Sequence, residues 1–520
     1  MKQLTALDNM FLGLEHGNQT MHVASLGIYD PSTAPGGKVR FKQILAHYAA
    51  KLDALKLYQR RLVKVPLDLD LPYWVDQGEI DLEYHVRHIA LPQPGDWRQL
   101  MIQVARLHSR PLDLTKPLWE TYVIEGLDHV EGLPKGCFAI YAKLHHALVD
   151  GEAAADMIRL QHDLAPVGRP VDQLVTHIAD SVPQPVELLS RAVTARAGRW
   201  VSNARTLGSL TVTAARMAGE ALSGADPRGA LLKLEDALVV RNPPTRFGGD
   251  ISPHRVVNGL PLPLDGFAEI RRAVPDTTIN DVFLAVSSGA VRKYLAHHGE
   301  LPAASLHASV PVSTHGKVKS ADAGNSVSGT MVELATHIEA PVERLRAVHA
   351  GMERSKQALA ALGQDLMRKL SQLIPLAPIN LVQRHILAPR ASIIVSNVRG
   401  PSVPLYFAGA RLVRFMPVSI ASNGMGLNIT GFSYDNQLWV CVVSCRKMMP
   451  DPDFFAQCLQ ESFAELHAAA TTDAVPKATK DAAPKAAPKT ATKAAKGAAK
   501  GPAKGAAKRR APRSAVPPPL

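Results

Sequence analysis

The seven residues 145–151, which read HHALVDG, constrain this chain more than any other stretch. The run before them, 138–144, is apolar in the manner of a buried strand, and the run after them, 152–164, has the apolar spacing of a helix. Two histidines therefore stand at the end of a strand, and an Asp-Gly pair stands where a helix begins. A stiff element that ends in a turn is a common position for catalytic side chains.

Three interpretations of the two histidines are open from the residues alone. The first is a satisfied core pair, with Asp150 as the N-cap of the following helix. The second is a metal site, which is disfavoured because consecutive strand residues point to opposite faces and because the sequence has neither HExxH nor Cys-x-x-Cys. The third is a general base, since neutral imidazole has an unperturbed pKa near working pH.

The length of 520 residues indicates two domains with additional segments. The net charge of +13 is located mainly in the tail, because residues 471–520 hold nine Lys, three Arg and two Asp. The four cysteines have neither disulfide nor zinc spacing, which fits reduced thiols in a cytosolic protein. The first residues lack an apolar signal core, and no stretch of about 20 strongly apolar residues predicts a transmembrane helix.

Changes of composition divide the chain into four parts. We predict an N-terminal domain at 1–182, a helical basic linker at 183–244, a C-terminal domain at 245–468 and a disordered tail rich in Lys, Ala and Pro at 469–520. The linker is rich in arginine, which suits either a solvated connecting helix or an amphipathic surface for anionic lipid. The tail is either a solubilising extension or a segment for contact with anionic surfaces or nucleic acid.

Further motifs follow the same order as in one known family. They are the opening LDNMF at 7–11, PLW at 117–119, ND at 280–281, VPVS at 310–313, GN at 324–325 and SNVRGP at 396–401. With HHALVDG, which matches the HHxxxDG pattern of CoA-dependent acyltransferases, they make the chain resemble the bacterial wax ester synthase/diacylglycerol acyltransferases. Two departures are Thr314-His315, where the family usually has Arg, and Arg399, where it has a small residue or Pro.

This resemblance implies an α/β fold of two chloramphenicol-acetyltransferase-like sandwich domains. It implies transfer of a long-chain acyl group from acyl-CoA to diacylglycerol or a long-chain alcohol, with no metal and no cofactor. His146 is then the general base, supported by His145, and Asp150 holds the loop by an ion pair or a cap. Gly151, Asn280 and Trp119 are the predicted substrate-binding residues, although Trp119 also suits a plain core aromatic and Asn280 also suits helix capping.

The implied partners are acyl-CoA, the lipid acceptor and a membrane or lipid-inclusion surface. We expect a cytoplasmic protein that associates peripherally with the inner membrane face or with lipid inclusions. Two alternatives stay open: an HHxxxDG acyltransferase for another hydroxyl acceptor, and a non-catalytic protein of lipid inclusions. A serine-hydrolase interpretation fails, because the sequence lacks the GxSxG nucleophile elbow.

Overall fold

The computed structural model describes residues 1–149, 151–167, 180–181, 183–194, 242–313, 327–362 and 391–473. Asp150, most of the predicted linker, the GN turn at 324–325 and nearly all of the predicted tail lie outside these residues. None of the helices in the described ranges combines the length and the apolar character needed to cross a membrane.

The strands and helices of the described residues have the following bounds. The strands are β1 (Lys2–Gln3), β2 (His22–Asp30), β3 (Arg60–Val63), β4 (Tyr73–Asp76), β5 (Val86–Ala90), β6 (Trp119–Glu125), β7 (Phe138–His145), β8 (Arg255–Pro263), β9 (His307–Ser313), β10 (Val327–Glu333), β11 (Ile393–Val398), β12 (Tyr406–Phe407), β13 (Ala410–Val418), β14 (Leu427–Tyr434) and β15 (Gln437–Cys445). The helices are α1 (Ala6–Leu14), α2 (Phe41–Lys51), α3 (Leu82–His85), α4 (Trp97–His108), α5 (Gly151–Gln161), α6 (Leu264–Ala273), α7 (Ile279–His297), α8 (Pro341–Leu362) and α9 (Pro452–Asp473).

Two six-stranded sheets and one small sheet organise these elements. The first large sheet has the order β12-β13-β2-β7-β6-β5, and the second has the order β10-β9-β11-β14-β15-β8. The small sheet has the order β1-β4-β3. Strands β12 and β13 come from the region predicted as the C-terminal domain, yet β13 pairs with β2. The sheet that carries the histidine motif is therefore completed by residues far along the chain.

Three apolar layers bury the faces of the two large sheets. One face of the first sheet packs with Ile44 and Tyr48 of α2. Its other face shares a core with the second sheet and α4, in which Tyr141 lies in the same cluster as Trp439. The second sheet then packs through its far face on α6, α7, α8 and α9. This alternation of sheets and helices confirms the predicted α/β class.

Local sequence signals explain where the structure agrees with the sequence-based predictions and where one of them is wrong. The strand-like runs 426–434 and 437–444 predict a hairpin around Asp435-Asn436. This hairpin is present, and both residues have positive φ, as a tight turn between twisted strands requires. The sequence of 83–86 favours a short strand or loop, and this prediction is wrong, because the chain forms the short helix α3 there. The Asp81 side chain accepts a hydrogen bond from the backbone N–H of Tyr84 at 3.1 Å, which starts the helix, and β5 begins only at Val86.

Candidate active site

The histidine motif lies at the end of β7, in the middle of the first large sheet. The backbone N–H of His145 donates to the Leu118 carbonyl at 3.0 Å, and that of His146 donates to the Met21 carbonyl at 2.8 Å. The chain then turns, with the Leu148 N–H donating to the His145 carbonyl at 2.9 Å, and α5 begins at Gly151. Neighbouring strands on both sides of β7 therefore fix the backbone of the two histidines.

The first histidine is fully buried and uses both ring nitrogens. Nε2 of His145 lies 2.7 Å from Oε2 of Glu15, and Nδ1 accepts a hydrogen bond from the Ala147 N–H at 3.1 Å. Because a carboxylate only accepts, Nε2 carries the proton and Nδ1 is the acceptor. Hydrogen bonds therefore fix the His145 ring at both nitrogens, and the bond from Ala147 stabilises the turn that contains His146.

The second histidine is half-buried and has a different environment. The ring of His146 stacks on that of Phe11, with 4.0 Å between the ring centroids and 16° between their planes. Phe11 packs against a small apolar cluster in which Leu14, Met21 and Ile420 are buried. The two adjacent histidines thus have different surroundings. His145 is enclosed by polar partners, and His146 lies against apolar side chains.

Behind the motif is a buried group of neutral histidines. His22 is the cross-strand neighbour of His145, and its Nε2 donates to the His108 carbonyl at 3.0 Å. His108 donates through Nε2 to the Ser419 carbonyl at 2.9 Å, so its Nδ1 accepts from the Tyr141 hydroxyl at 2.8 Å. Burial lowers the pKa of His108 to about 3 and lowers that of His22 well below 6.5. These imidazoles therefore remain uncharged and join β2, α4 and the end of β13.

A buried ion pair lies on the same face of β7. Lys143 is the cross-strand partner of Glu120, their charged atoms are 3.1 Å apart, and the ammonium also donates to the Arg110 carbonyl at 3.0 Å. The Lys143 side chain is wholly buried, and this burial lowers its pKa. The strand that presents the histidines is thus fixed by charge pairing as well as by its backbone bonds.

Trp119 lies in the apolar core beneath the first large sheet. Its ring is stacked between those of Tyr58, at 4.2 Å, and His85, at 4.3 Å, and its Nε1 donates to the Tyr58 carbonyl at 2.8 Å. Only 1% of Trp119 is exposed. Trp119 is therefore a core aromatic residue, which is one of the two roles that the sequence suggested. Its contact with substrate remains a prediction.

Asn280 is the second residue of α7 and is half-buried. Its side chain forms no hydrogen bond with any residue in the described ranges. The next residue, Asp281, forms a capping box with Thr278, which agrees with the capping signal of the sequence. Asp150 lies outside the described residues, so its role, like those of Gly151 and Asn280, stays a prediction.

The sequence interpretation missed two residues that contact the histidines. Phe11 lies within the LDNMF segment, which was matched to the family but given no role. Glu15 follows directly after α1, in a turn whose sequence carries no recognisable signal. Across the described ranges, no group of three His, Cys, Asp or Glu side chains is arranged to hold a metal ion.

Two family models match the chain. The wax ester synthase/diacylglycerol acyltransferase catalytic domain matches residues 4–283, and the C-terminal domain of the same family matches residues 323–467. A putative diacylglycerol O-acyltransferase from Mycobacterium tuberculosis is 34% identical over 474 residues, which are 90% of this chain and 99% of that protein. The chain therefore belongs to the wax ester synthase/diacylglycerol acyltransferase family and is an acyltransferase.

Solved structures agree with this assignment. The wax ester synthase/diacylglycerol acyltransferase from Marinobacter aquaeolei superposes with a TM-score of 0.64 at 27% identity, covering 91% of this chain and 100% of that one. A trichothecene 15-O-acetyltransferase from Fusarium sporotrichioides has a TM-score of 0.55 at 13% identity, covering 90% of this chain and 94% of that one, and shares the fold. The family resemblance and the fold predicted from the sequence are thus confirmed.

Proposed function

We propose that this protein transfers a long-chain acyl group from acyl-CoA to the hydroxyl of a diacylglycerol or a long-chain alcohol, with His146 as the general base. One observation carries the assignment of the base. Both ring nitrogens of His145 are engaged and its side chain is buried, whereas His146 is half-buried against an apolar cluster. This difference supports His146, rather than His145, as the imidazole that meets a lipid hydroxyl.

The proposed reaction is direct transfer between the two substrates. His146 takes the proton of the acceptor hydroxyl while the oxygen attacks the thioester carbonyl, and the carbon–oxygen bond forms. The carbon–sulfur bond then breaks, and the proton passes from His146 to the departing thiolate, which yields an ester and free CoA. Positioned proton transfer of this kind contributes roughly 10²–10⁴-fold to the rate.

The remaining roles follow from position. Phe11 and the apolar cluster beside it offer a surface for alkyl chains next to the base. Asn280, whose carboxamide has no bond within the described ranges, is the candidate donor to the oxyanion of the tetrahedral intermediate. Asp150 is proposed to hold the motif loop. We propose no cofactor and no metal, because acyl transfer by this route needs only the substrates and these side chains.

Peripheral contact with a lipid surface is part of the proposal. Residues 185–194 are helical, and Leu188 and Ala192 are buried beside Val65, whereas 77% of Val186 and 61% of Val193 are exposed. Apolar side chains on the outer face of a helix suit insertion into an interface. If this face touches lipid, the double change Val186→Ser/Val193→Ser reduces flotation with anionic vesicles, and unchanged flotation rejects this surface. Contacts of the tail with anionic surfaces or nucleic acid stay predictions.

The test uses the purified protein with palmitoyl-CoA and either hexadecanol or a diacylglycerol, and follows both CoA release and the lipid product. We expect ester formation by the parent and its loss in a folded His146→Ala variant. His337→Ala, which changes an exposed histidine, is the matched control and should retain activity. Activity that survives in His146→Ala would refute the assigned base. Failure of both acceptors would favour another hydroxyl acceptor or a non-catalytic role.

A further inference from the structure

The first turn of α7, which carries Asn280, is held by more bonds than a helix start needs. Oδ2 of Asp281 accepts from the Thr278 N–H at 2.9 Å and from the Thr278 hydroxyl at 2.9 Å, and the Asp281 N–H donates back to that hydroxyl at 3.2 Å. This reciprocal pair is a complete capping box. It requires no third residue.

A third residue is nevertheless present. Nδ1 of His349, which lies on α8, is 3.0 Å from the same Oδ2 of Asp281. Because the carboxylate is only an acceptor, the imidazole donates this bond, and its proton is fixed on Nδ1. The partners are 68 residues apart in sequence, so the bond joins two helices rather than completing one.

Burial makes this contact important for the position of the turn. Asp281 is 1% exposed, and its other oxygen, Oδ1, has no hydrogen-bond partner in the described ranges. A buried carboxylate depends strongly on the few donors that reach it. Among the described residues its donors are Thr278 and His349, and of these His349 joins the carboxylate to another helix, α8.

We infer that His349 is a positioning residue for acyl transfer, which acts through Asp281 to fix the α7 turn that presents the Asn280 carboxamide. The inference rests on the proposed function, because Asn280 has a task only if substrate reaches it. It goes further by assigning the α7–α8 contact a role in the reaction. His349 itself touches no reacting atom in this scheme.

The first test compares His349→Ala with His349→Asn in the palmitoyl-CoA assay. Loss of the hydrogen bond between His349 and Asp281 displaces Asn280, so we expect the kcat of His349→Ala to fall about 10- to 100-fold. The KM for acyl-CoA should change little. His349→Asn keeps an N–H donor near the position of Nδ1 and should recover most of the lost kcat. Thermal unfolding of each variant separates this effect from loss of the fold.

A matched control breaks a similar pair elsewhere in the same half of the chain. His467 and Glu269 also form an imidazole–carboxylate contact, at 2.7 Å, but this contact joins α9 to α6. His467→Ala should therefore retain the parent kcat. If His467→Ala lowers kcat as much as His349→Ala does, the effect is not specific to the α7 turn and the inference is overturned.

The decisive measurement is a double-variant cycle with Asn280→Ala. If His349 acts through Asn280, the double variant is no slower than Asn280→Ala alone, because the group being positioned is already absent. Additive losses overturn the inference, as does a His349→Ala variant with the parent kcat. If the parent forms no ester with any acceptor, the proposed function itself fails, and that result is distinct from both of these outcomes.

Discussion

Removal of the Glu15 carboxylate tests whether the buried histidine supports the catalytic one. In Glu15→Ala the Nε2–H of His145 loses its acceptor at 2.7 Å while its ring remains fully buried. Leaving a buried donor unsatisfied costs about 1–3 kcal/mol of unfolding free energy. Glu15→Gln keeps a neutral acceptor and loses only the charge, so its cost should be about 1 kcal/mol.

The effect on activity should exceed the effect on stability. His145 accepts the Ala147 N–H and so braces the turn that contains His146. A displaced imidazole base is expected to reduce kcat about 10- to 100-fold in Glu15→Ala, and less in Glu15→Gln. Urea unfolding followed by tryptophan fluorescence gives the unfolding free energy, and CoA release from palmitoyl-CoA gives kcat.

The control is Glu353→Ala, which breaks the exposed pair with Lys356 at 2.7 Å. Exposed ion pairs contribute about 0–1 kcal/mol, so this variant should resemble the parent in stability and in kcat. The reasoning is refuted if Glu15→Ala keeps the parent kcat, or if it is no less stable than Glu353→Ala. A reversed order, with Glu15→Gln slower than Glu15→Ala, would also contradict it.

Two further predictions concern the buried charges and imidazoles. Lys143→Met leaves the Glu120 carboxylate, which is 6% exposed, without its nearest cation and should lower the unfolding free energy by about 3 kcal/mol in urea unfolding. The double variant Lys143→Met/Glu120→Leu should recover part of this loss, because it removes the unpaired charge as well. Equal losses in the two variants would argue against an ion-pair effect. Burial lowers the pKa of His162 to about 4 and that of His108 to about 3, so the unfolded chain takes up protons first as the pH falls below about 6.5. Protonation of the unfolded chain therefore lowers the unfolding free energy by about 2 kcal/mol for each of these histidines between pH 7 and pH 5. Unfolding free energies measured over this pH range check the prediction, and a flat profile would refute the assignment of both imidazoles as buried and neutral.

Much of the fold was predictable because local signals and tertiary packing agree. The sequence is helix-like at 97–108 and at 341–362, and α4 and α8 have these bounds. The Asp435-Asn436 hairpin follows from backbone preferences that act over a few residues. At 83–86, where the sequence favours a short strand or loop, the Asp81 side chain instead caps a short helix.

The candidate site was only partly predictable. The sequence determined the two histidines, their place at a strand end and the opposite environments that follow from alternation along a strand. It could not show that Glu15 is the partner of His145, because the two residues are 130 positions apart. The contact of His349 with Asp281 was hidden for the same reason.

The sequence by itself therefore determined the family, the reaction class and the order of the elements, because each depends on short motifs or on local periodicity. The tertiary structure decided what surrounds those motifs. It brought β13 beside β2, placed Phe11 against His146, and enclosed Trp119 between two rings. Contacts between distant residues form only when the sheets and helices pack, and short motifs do not encode which partners will meet.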